Sequence, residues 1–325
     1  MPSPNSVFTE IVATTFRNHP KQITDNVSRH NALYRKMKSG GRMRTESGGY
    51  SIVTPLEYAQ NGTYQRYSGL DLLNVSQSDV FTAAEYTWRQ IAINVVSSGY
   101  ELRVNAGPQR LANLAKSRIQ NAIHTFANNF SSDMYSDGSL PNQIDGLQKT
   151  VADAGTGTVG GIDSSTWTFW QNKVQSAAAP LQGGAAIVPS GTAGIMESLM
   201  LPLLIELTRN ADKPDLIVSS NDYYTFLEAG QTTIKRYVDS DMADAGFMSL
   251  QFHGIPVFFD GASGMPASHM YFLNTNYLEL GVHSDANMTV LDEAKPYNQD
   301  GAVVPILWMG NFAVSNRSLQ GVVKA

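Results

Sequence analysis

The chain has 325 residues, length for about two domains and a substantial core, and its 23 Lys+Arg against 28 Asp+Glu give a net charge of −5. That balance argues against a generic nucleic-acid or membrane-surface binder. The absence of cysteine excludes disulfides, thiolate metal sites, iron–sulfur clusters and cysteine nucleophiles. Charged residues make up only 16% of the chain, where a soluble domain carries about 25%. With 14 Tyr, 13 Phe and 12 Met, the composition leans toward a subunit covered by neighbours, with a weakly charged monomer as the alternative.

Residues 1–20 lack a basic leader followed by an apolar run, so no secretory signal is expected. The most apolar run, Ile195 to Leu207, is broken by Glu197, Pro202 and Glu206 and falls short of the ~20 residues a bilayer needs. Without an export signal, Asn-x-Ser/Thr triplets such as Asn26-Val-Ser28 read as chance. The first fifty residues hold eight basic and three acidic side chains, a net of +5, which leaves −10 for the remaining 275. A basic arm of this kind can dock on an adjacent copy's acidic body or on phosphate; a solvated amphipathic helix is the competing reading. Short helices are predicted around Val7–Arg17 and Ile23–Lys38, punctuated by Pro20.

From Gly40 the texture changes to glycine-punctuated, alternating polar and apolar residues, read as an extended hairpin with too little apolar mass for its own core. It needs a surface to lie on, which could belong to another chain. Ala84, Tyr86 and Trp88 then share one strand face, and Ile91, Ile93 and Val95 resume the alternation one residue out of phase, predicting a β-bulge across Arg89-Gln90 and a turn at Ser97-Ser98-Gly99. From Pro108, apolar residues from Leu111 through Ile119, Ile123, Phe126 and Phe130 to Met134 recur at spacings of three and four, predicting a long helix ended by Gly138. Residues 139–193 read as a long ordered connection with an aromatic knot at Trp167, Phe169 and Trp170. After a helix over Thr192–Arg209 the pattern is α+β: strand Leu216–Val218, helix Asp222–Ala229, and strands at 248–252, 255–259, 270–273, 277–282, 303–314 and 318–323.

Gly155-Thr-Gly157-Thr-Val-Gly160 matches the dinucleotide fingerprint in letters, but polar KTVADA precedes it and GIDSSTW follows, so neither the buried strand nor the helix is in place. A nucleotide-binding enzyme using Gly155–Gly160 is therefore a remote alternative. No Gly-Lys pair exists for a P-loop. Asp239, Asp241 and Asp244 read as an acidic loop rather than a Ca²⁺ site. The six histidines show no metal spacing, His124 reads as a core or interface residue, and His283-Ser284-Asp285 is too local to converge as a triad. No catalytic residue, metal ligand or cofactor is expected, and the chain is not expected to be an enzyme.

Five blocks in order resemble the major capsid (coat) proteins of tailed bacteriophages: Asp25–Gly49 (DNVSRHNALYRKMKSGGRMRTESGG) followed by PLEYAQN from Pro55; VGGIDSSTWTFWQN from Val159; PDLIVSSNDYYTFL from Pro214; GIPVFFD from Gly254 with MYFLNTNYLEL from Met270; and LWMGNFAVSNRSLQG from Leu307. The resemblance implies an α+β fold with an N-terminal arm (1–40), an extended β-hairpin loop (41–74) and a peripheral domain with spine helix Pro108–Ser136 and connection (75–189). An axial domain (190–285) and C-terminal strands returning to the peripheral domain (286–325) complete it. It further implies self-assembly as hexamers and pentamers into an icosahedral virion shell around double-stranded DNA, in the bacterial host cytoplasm. The implied partners are further copies of the chain, a separate scaffolding protein, portal and possible decoration proteins, and DNA held non-specifically; no membrane is implied.

Arg42, Arg44, Glu57 and Arg66 are the candidate intersubunit contacts, with solvated charges worth under ~1 kcal/mol as the alternative. Some relatives crosslink through a loop lysine, but no lysine lies between Lys38 and Lys116, so no such crosslink is expected. The short arm implies little or no N-terminal processing. An enzyme-filled nanocompartment shares the implied fold and remains the rival reading.

Overall fold

Two sheets organise the chain, and each is built from strands distant in sequence. The structure is a computed structural model and describes residues 32–100, 108–192, 194–231, 249–261 and 264–325. The predicted helix Val7–Arg17 and the aspartates 239, 241 and 244 lie outside the described residues.

The elements in order are α1 (Ala32–Ser39), β1 (Met43–Glu46), β2 (Ser51–Glu57), β3 (Phe81–Thr87), β4 (Arg89–Ser98), α2 (Pro108–Asp133) and α3 (Leu147–Thr150). The ribbon β5 (Thr158–Val159) and β6 (Ile162–Asp163) precedes β7 (Lys173–Ser176), α4 (Ile195–Leu207), β8 (Leu216–Ser219) and α5 (Asn221–Gln231). Last come β9 (Ser249–Phe252), β10 (Ile255–Phe259), β11 (His269–Leu273), β12 (Leu278–Val290), β13 (Gly301–Val314) and β14 (Gly321–Lys324). A four-stranded sheet runs β1-β12-β13-β4, and a six-stranded sheet runs β7-β14-β11-β8-β10-β9.

The six-stranded sheet is covered on both faces, as its nearly unbroken apolar strands require. Period-two alternation sorts its side chains into two cores. Leu216, Val218, Tyr271 and Leu273 belong to the core that includes α2, whereas Ile217, Met270, Phe272 and Val257 belong to the core built with α4 and α5. The expected domain limits do not coincide with sheet limits. Strands β7 and β14 both join the six-stranded sheet, and β12 continues across residue 285.

Helix α2 spans 26 residues, a rod of about 39 Å at ~1.5 Å per residue. Its buried stripe, Ile119, Ile123, Phe126 and Phe130, lies in the core with Trp308 and Phe312 of β13, and the Phe130 ring meets Trp308 edge-on at 5.0 Å. His124 is exposed, which corrects the core half of its reading and leaves the interface half untouched. After the helix the chain doubles back tightly: the Leu147 amide donates to the Met134 carbonyl at 2.9 Å. A Cβ on Gly146 would come within 2.3 Å of the Ser136 amide nitrogen, so only glycine fits there.

The phase slip near residue 89 is real, but its cause is not a bulge. Chain direction continues from β3 into β4 while the partner changes: β3 pairs with β2, and β4 pairs with β13 over Arg89–Ser98. Trp88 sits at the transfer between sheets, with its indole nitrogen donating to the Gly49 carbonyl at 3.0 Å.

A buried arginine ties the connecting segment to the C-terminal strands. Arg317 is fully buried, with Nε donating to the Thr150 carbonyl at 2.7 Å. Its Nη1 donates to Ser164 Oγ at 2.9 Å and to the Gly157 and Trp170 carbonyls, each at 3.3 Å. Burial without a paired carboxylate lowers its pKa to about 10, which leaves it charged at neutral pH.

A second polar tie links β11 to the connection. His269 Nε2 lies 2.9 Å from Asp153 Oδ2, and Nδ1 lies 2.6 Å from the Ala267 carbonyl. Both ring nitrogens face acceptors, so the doubly protonated imidazolium satisfies them and a neutral ring cannot. Burial opposes the charge on His269, but the bonds to Asp153 and Ala267 outweigh it and its pKa is raised, with Lys324 opposing; the His269 bond lowers that of Asp153. The histidine's contribution to stability is full below its ordinary value of 6.5 and lost as pH rises through the raised folded value. The aspartate's contribution is present above 3.8 and lost as pH falls through its lowered value. An NMR titration of the His269 ring is expected to give a pKa above 6.5 that Asp153→Asn brings down; an unchanged titration would contradict the pairing.

Candidate assembly interface

The hairpin β2–β3 is antiparallel in a register running from Ser51↔Thr87 to Glu57↔Phe81. Alternate residues point inward, so Ile52, Leu56, Ala84 and Tyr86 form a small core with Val159, Trp170 and Ala313. The Tyr86 hydroxyl donates to the Val314 carbonyl at 2.9 Å, and burial pushes its pKa well up, so it stays a neutral donor. Ile52 also packs where a side chain on Gly281 would stand, since a Cβ there would lie 2.6 Å from its Cδ1. Strand β1 pairs in parallel with β12. The hairpin base therefore does lie on a further surface, as its small apolar mass requires, and that surface belongs to this same chain.

Beyond Glu57 that support ends. Residues 58–80 contain neither helix nor strand, and the Tyr58 amide bonding the Val80 carbonyl at 3.0 Å closes their base. The loop is shaped by polar side chains bonding its own backbone. Gln65 Nε2 donates to the Leu72 carbonyl at 2.9 Å, and its Oε1 accepts from the Asn74 amide at 3.0 Å. Asn74 Nδ2 reaches the Gly62 carbonyl at 3.3 Å, and Asp71 accepts from the Ser68 amide at 2.9 Å. Meanwhile Tyr64 (83% exposed), Tyr67, Leu70, Leu72 (94%), Leu73 and Val75 all face solvent. An exposed run of large apolar side chains, ordered by polar bonds rather than by packing, marks an interaction surface.

The four candidate charges separate into two pairs. Arg42 bonds Asn276, and its carbonyl accepts from the Leu280 amide at 2.9 Å. Arg44 pairs with Glu46 at 2.7 Å and approaches Glu279 at 3.9 Å. These two arginines fasten β1 to the strand beside it. Glu57 and Arg66 are exposed and make no ion pair among the described residues.

The glycine run 155–160 is a turn. Gly157 and Gly160 adopt positive φ around the ribbon β5–β6, and the Gly157 carbonyl accepts from Arg317. No helix N-terminus follows for a pyrophosphate, which removes the nucleotide reading. His283, Ser284 and Asp285 lie consecutively along β12, with the Asp285 amide bonding His283 Nδ1 at 3.2 Å, so they do not form a triad. Among the described residues no group of His, Asp and Glu could hold a metal ion, and no helix is long and apolar enough to cross a membrane.

No protein-family model and no curated protein sequence matches the chain. Solved structures do. The capsid asymmetric unit of cyanophage A-1(L) aligns with a TM-score of 0.63 at 16% identity, over 87% of this chain and 90% of that one. The capsid of the empty GTA particle aligns at 0.52 with 14% identity, over 89% of each chain. The SrpI encapsulin of Synechococcus elongatus PCC 7942 aligns at 0.55 with 8% identity, over 88% and 86%. At these identities the likeness is one of fold, and the fold is the α+β tailed-phage capsid fold that the sequence blocks implied.

Proposed function

We propose that this chain is a shell-building structural protein that assembles with copies of itself into the closed capsid of a tailed bacteriophage. The observation that carries the reading is the loop 58–80, whose Tyr64, Leu70, Leu72 and Val75 are exposed and join no core among the described residues. Each loop would lie on a neighbouring subunit and bury there what it exposes in isolation. Many such contacts of modest strength, repeated by symmetry, stabilise a closed shell while leaving assembly correctable. The proposal includes hexamers and pentamers in an icosahedral lattice, double-stranded DNA inside, assembly in the bacterial host cytoplasm, and a separate scaffolding protein with portal and decoration partners. The arm 1–40, loop 41–74, peripheral 75–189, axial 190–285 and C-terminal 286–325 divisions belong to the same proposal, as do Glu57 and Arg66 as intersubunit charges. The role is not enzymatic.

The encapsulin likeness favours a second reading, a nanocompartment shell filled with protein. Expression followed by nuclease-protected DNA assay and mass spectrometry of purified particles separates the two. Protected double-stranded DNA in particles formed with the portal supports the capsid, and a stoichiometric enzyme cargo without DNA supports the nanocompartment.

A further inference from the structure

Beside the base of the loop lies a groove of about 730 Å³ between the β3 entry and the β5–β6 ribbon. Its wall is an aromatic cluster. Tyr58 meets Trp167 edge-on at 5.7 Å and Phe169 at 6.0 Å, and Trp167 meets Phe169 at 6.3 Å. Trp167 is half-exposed, and Phe81 closes the far side, largely exposed. Two carboxylates line the same groove, Asp79 and Asp163. They are not equivalent. Asp163 is occupied, with its oxygens accepting from the Ser165 amide at 2.9 Å and the Ser165 hydroxyl at 2.6 Å. Asp79 is exposed and has no ion pair or hydrogen bond among the described residues.

Aromatic faces beside an unpaired carboxylate are the chemistry that holds a guanidinium, by cation–π attraction and a charge-assisted hydrogen bond. The loop tip carries such a group: Arg66 is exposed, makes no ion pair among the described residues, and is flanked by exposed Tyr64 and Tyr67. We infer that Arg66 of one copy seats in the Tyr58–Trp167–Phe169 groove of the next copy, paired with its Asp79. Donor and acceptor lie at opposite ends of one projection, so the contact is head-to-tail. Repeated about a rotation axis, a head-to-tail contact closes a ring. Trp, Tyr and Arg are also the residue types that dominate interface energetics when a neighbour covers them. The inference rests on the shell-forming reading and deepens it by naming the ring contact.

Because the chain has no cysteine, single cysteines can be introduced without background. Full-length Ser68→Cys and Gln77→Cys chains, which place a thiol two residues from Arg66 and from Asp79 and leave both charges in place, mixed before assembly and treated with a short thiol-to-thiol crosslinker, are expected to give a crosslinked dimer. Each chain alone should give none, and the double variant should give a ladder of up to five or six chains on a denaturing gel. In parallel, Arg66→Glu or Asp79→Arg should cut particle yield at least tenfold, and the two together should restore it. Circular dichroism like that of the parent establishes that each variant folds. Parent particles with no mixed crosslink and full yield from both charge variants would overturn this contact while leaving shell formation standing. A parent chain that forms no rings or particles would instead remove the reading on which it rests.

Discussion

A chain carrying Leu70→Ser, Leu72→Ser and Val75→Ser is expected to fold like the parent and to form no closed particles. All three side chains are exposed and none belongs to a hydrophobic core of the subunit, so the isolated protein loses no packing. In an assembled shell each would contribute up to about 1.5–3 kcal/mol if fully covered. Ordering costs reduce what appears as affinity, but losing even half of three such contributions weakens each loop contact by more than tenfold. A shell repeats that loss at every subunit. Sedimentation through a density gradient should move the variant from particle to subunit fractions, while its thermal unfolding midpoint stays within a degree or two of the parent subunit. Particles at parental yield would mean the exposed run is not an interface.

The opposite signature is expected at Arg317. Arg317→Ala should destabilise the subunit by about 3 kcal/mol, because it strips donors from the buried carbonyls of Thr150 and Trp170 and from that of Gly157, and leaves a cavity. The guanidinium's own burial, seen in its lowered pKa, opposes folding and offsets part of that loss. Lysine is no substitute: it carries one compact ammonium and cannot reach acceptors on both sides as the planar fork does. Urea unfolding should therefore show a lower midpoint for both variants, with an unchanged slope. A change under 1 kcal/mol in Arg317→Ala would mean the arginine does not hold the connecting segment.

What the sequence made legible follows a physical division between local and distant causes. The long helix, helices α4 and α5 and the position of most strands depend on periodicity within a short window, and their apolar residues fill the cores where expected. The slip between Trp88 and Ile91 was visible too, but its meaning depended on partners β2 and β13, some 30 and 210 residues away in the chain. A bulge and a change of sheet produce the same local pattern. Strand β12 extends to Val290 although residues 283–289 are mostly polar, because its register shifts there: Ser284, Asp285 and Asn287 are exposed while Met288 reaches the core. Strand β7 (KVQS) carries one apolar residue, and only its parallel pairing with β14 makes it a strand.

The candidate site was partly legible for the same reason. Glycine punctuation and missing apolar mass singled out the loop, and its tip is indeed without a core. Nothing local distinguished Arg42 and Arg44, which are engaged by Asn276, Glu46 and Glu279, from Arg66, which is not. The buried Arg317 and the groove at Tyr58, Trp167 and Phe169 were missed, although the aromatic knot had been noted. Both gather residues from across the chain, and only the fold brings them together. The low charged fraction of 16% gains a local account, since exposed apolar residues are concentrated on a projecting loop.

The most direct measurement is negative-stain electron microscopy of the purified full-length chain after expression alone and with scaffolding and portal partners. The account predicts ring-shaped capsomers or closed particles of uniform diameter, lost in the Leu70, Leu72 and Val75 serine variant. A chain that stays a well-folded monomer at high concentration, with and without those partners, would contradict it.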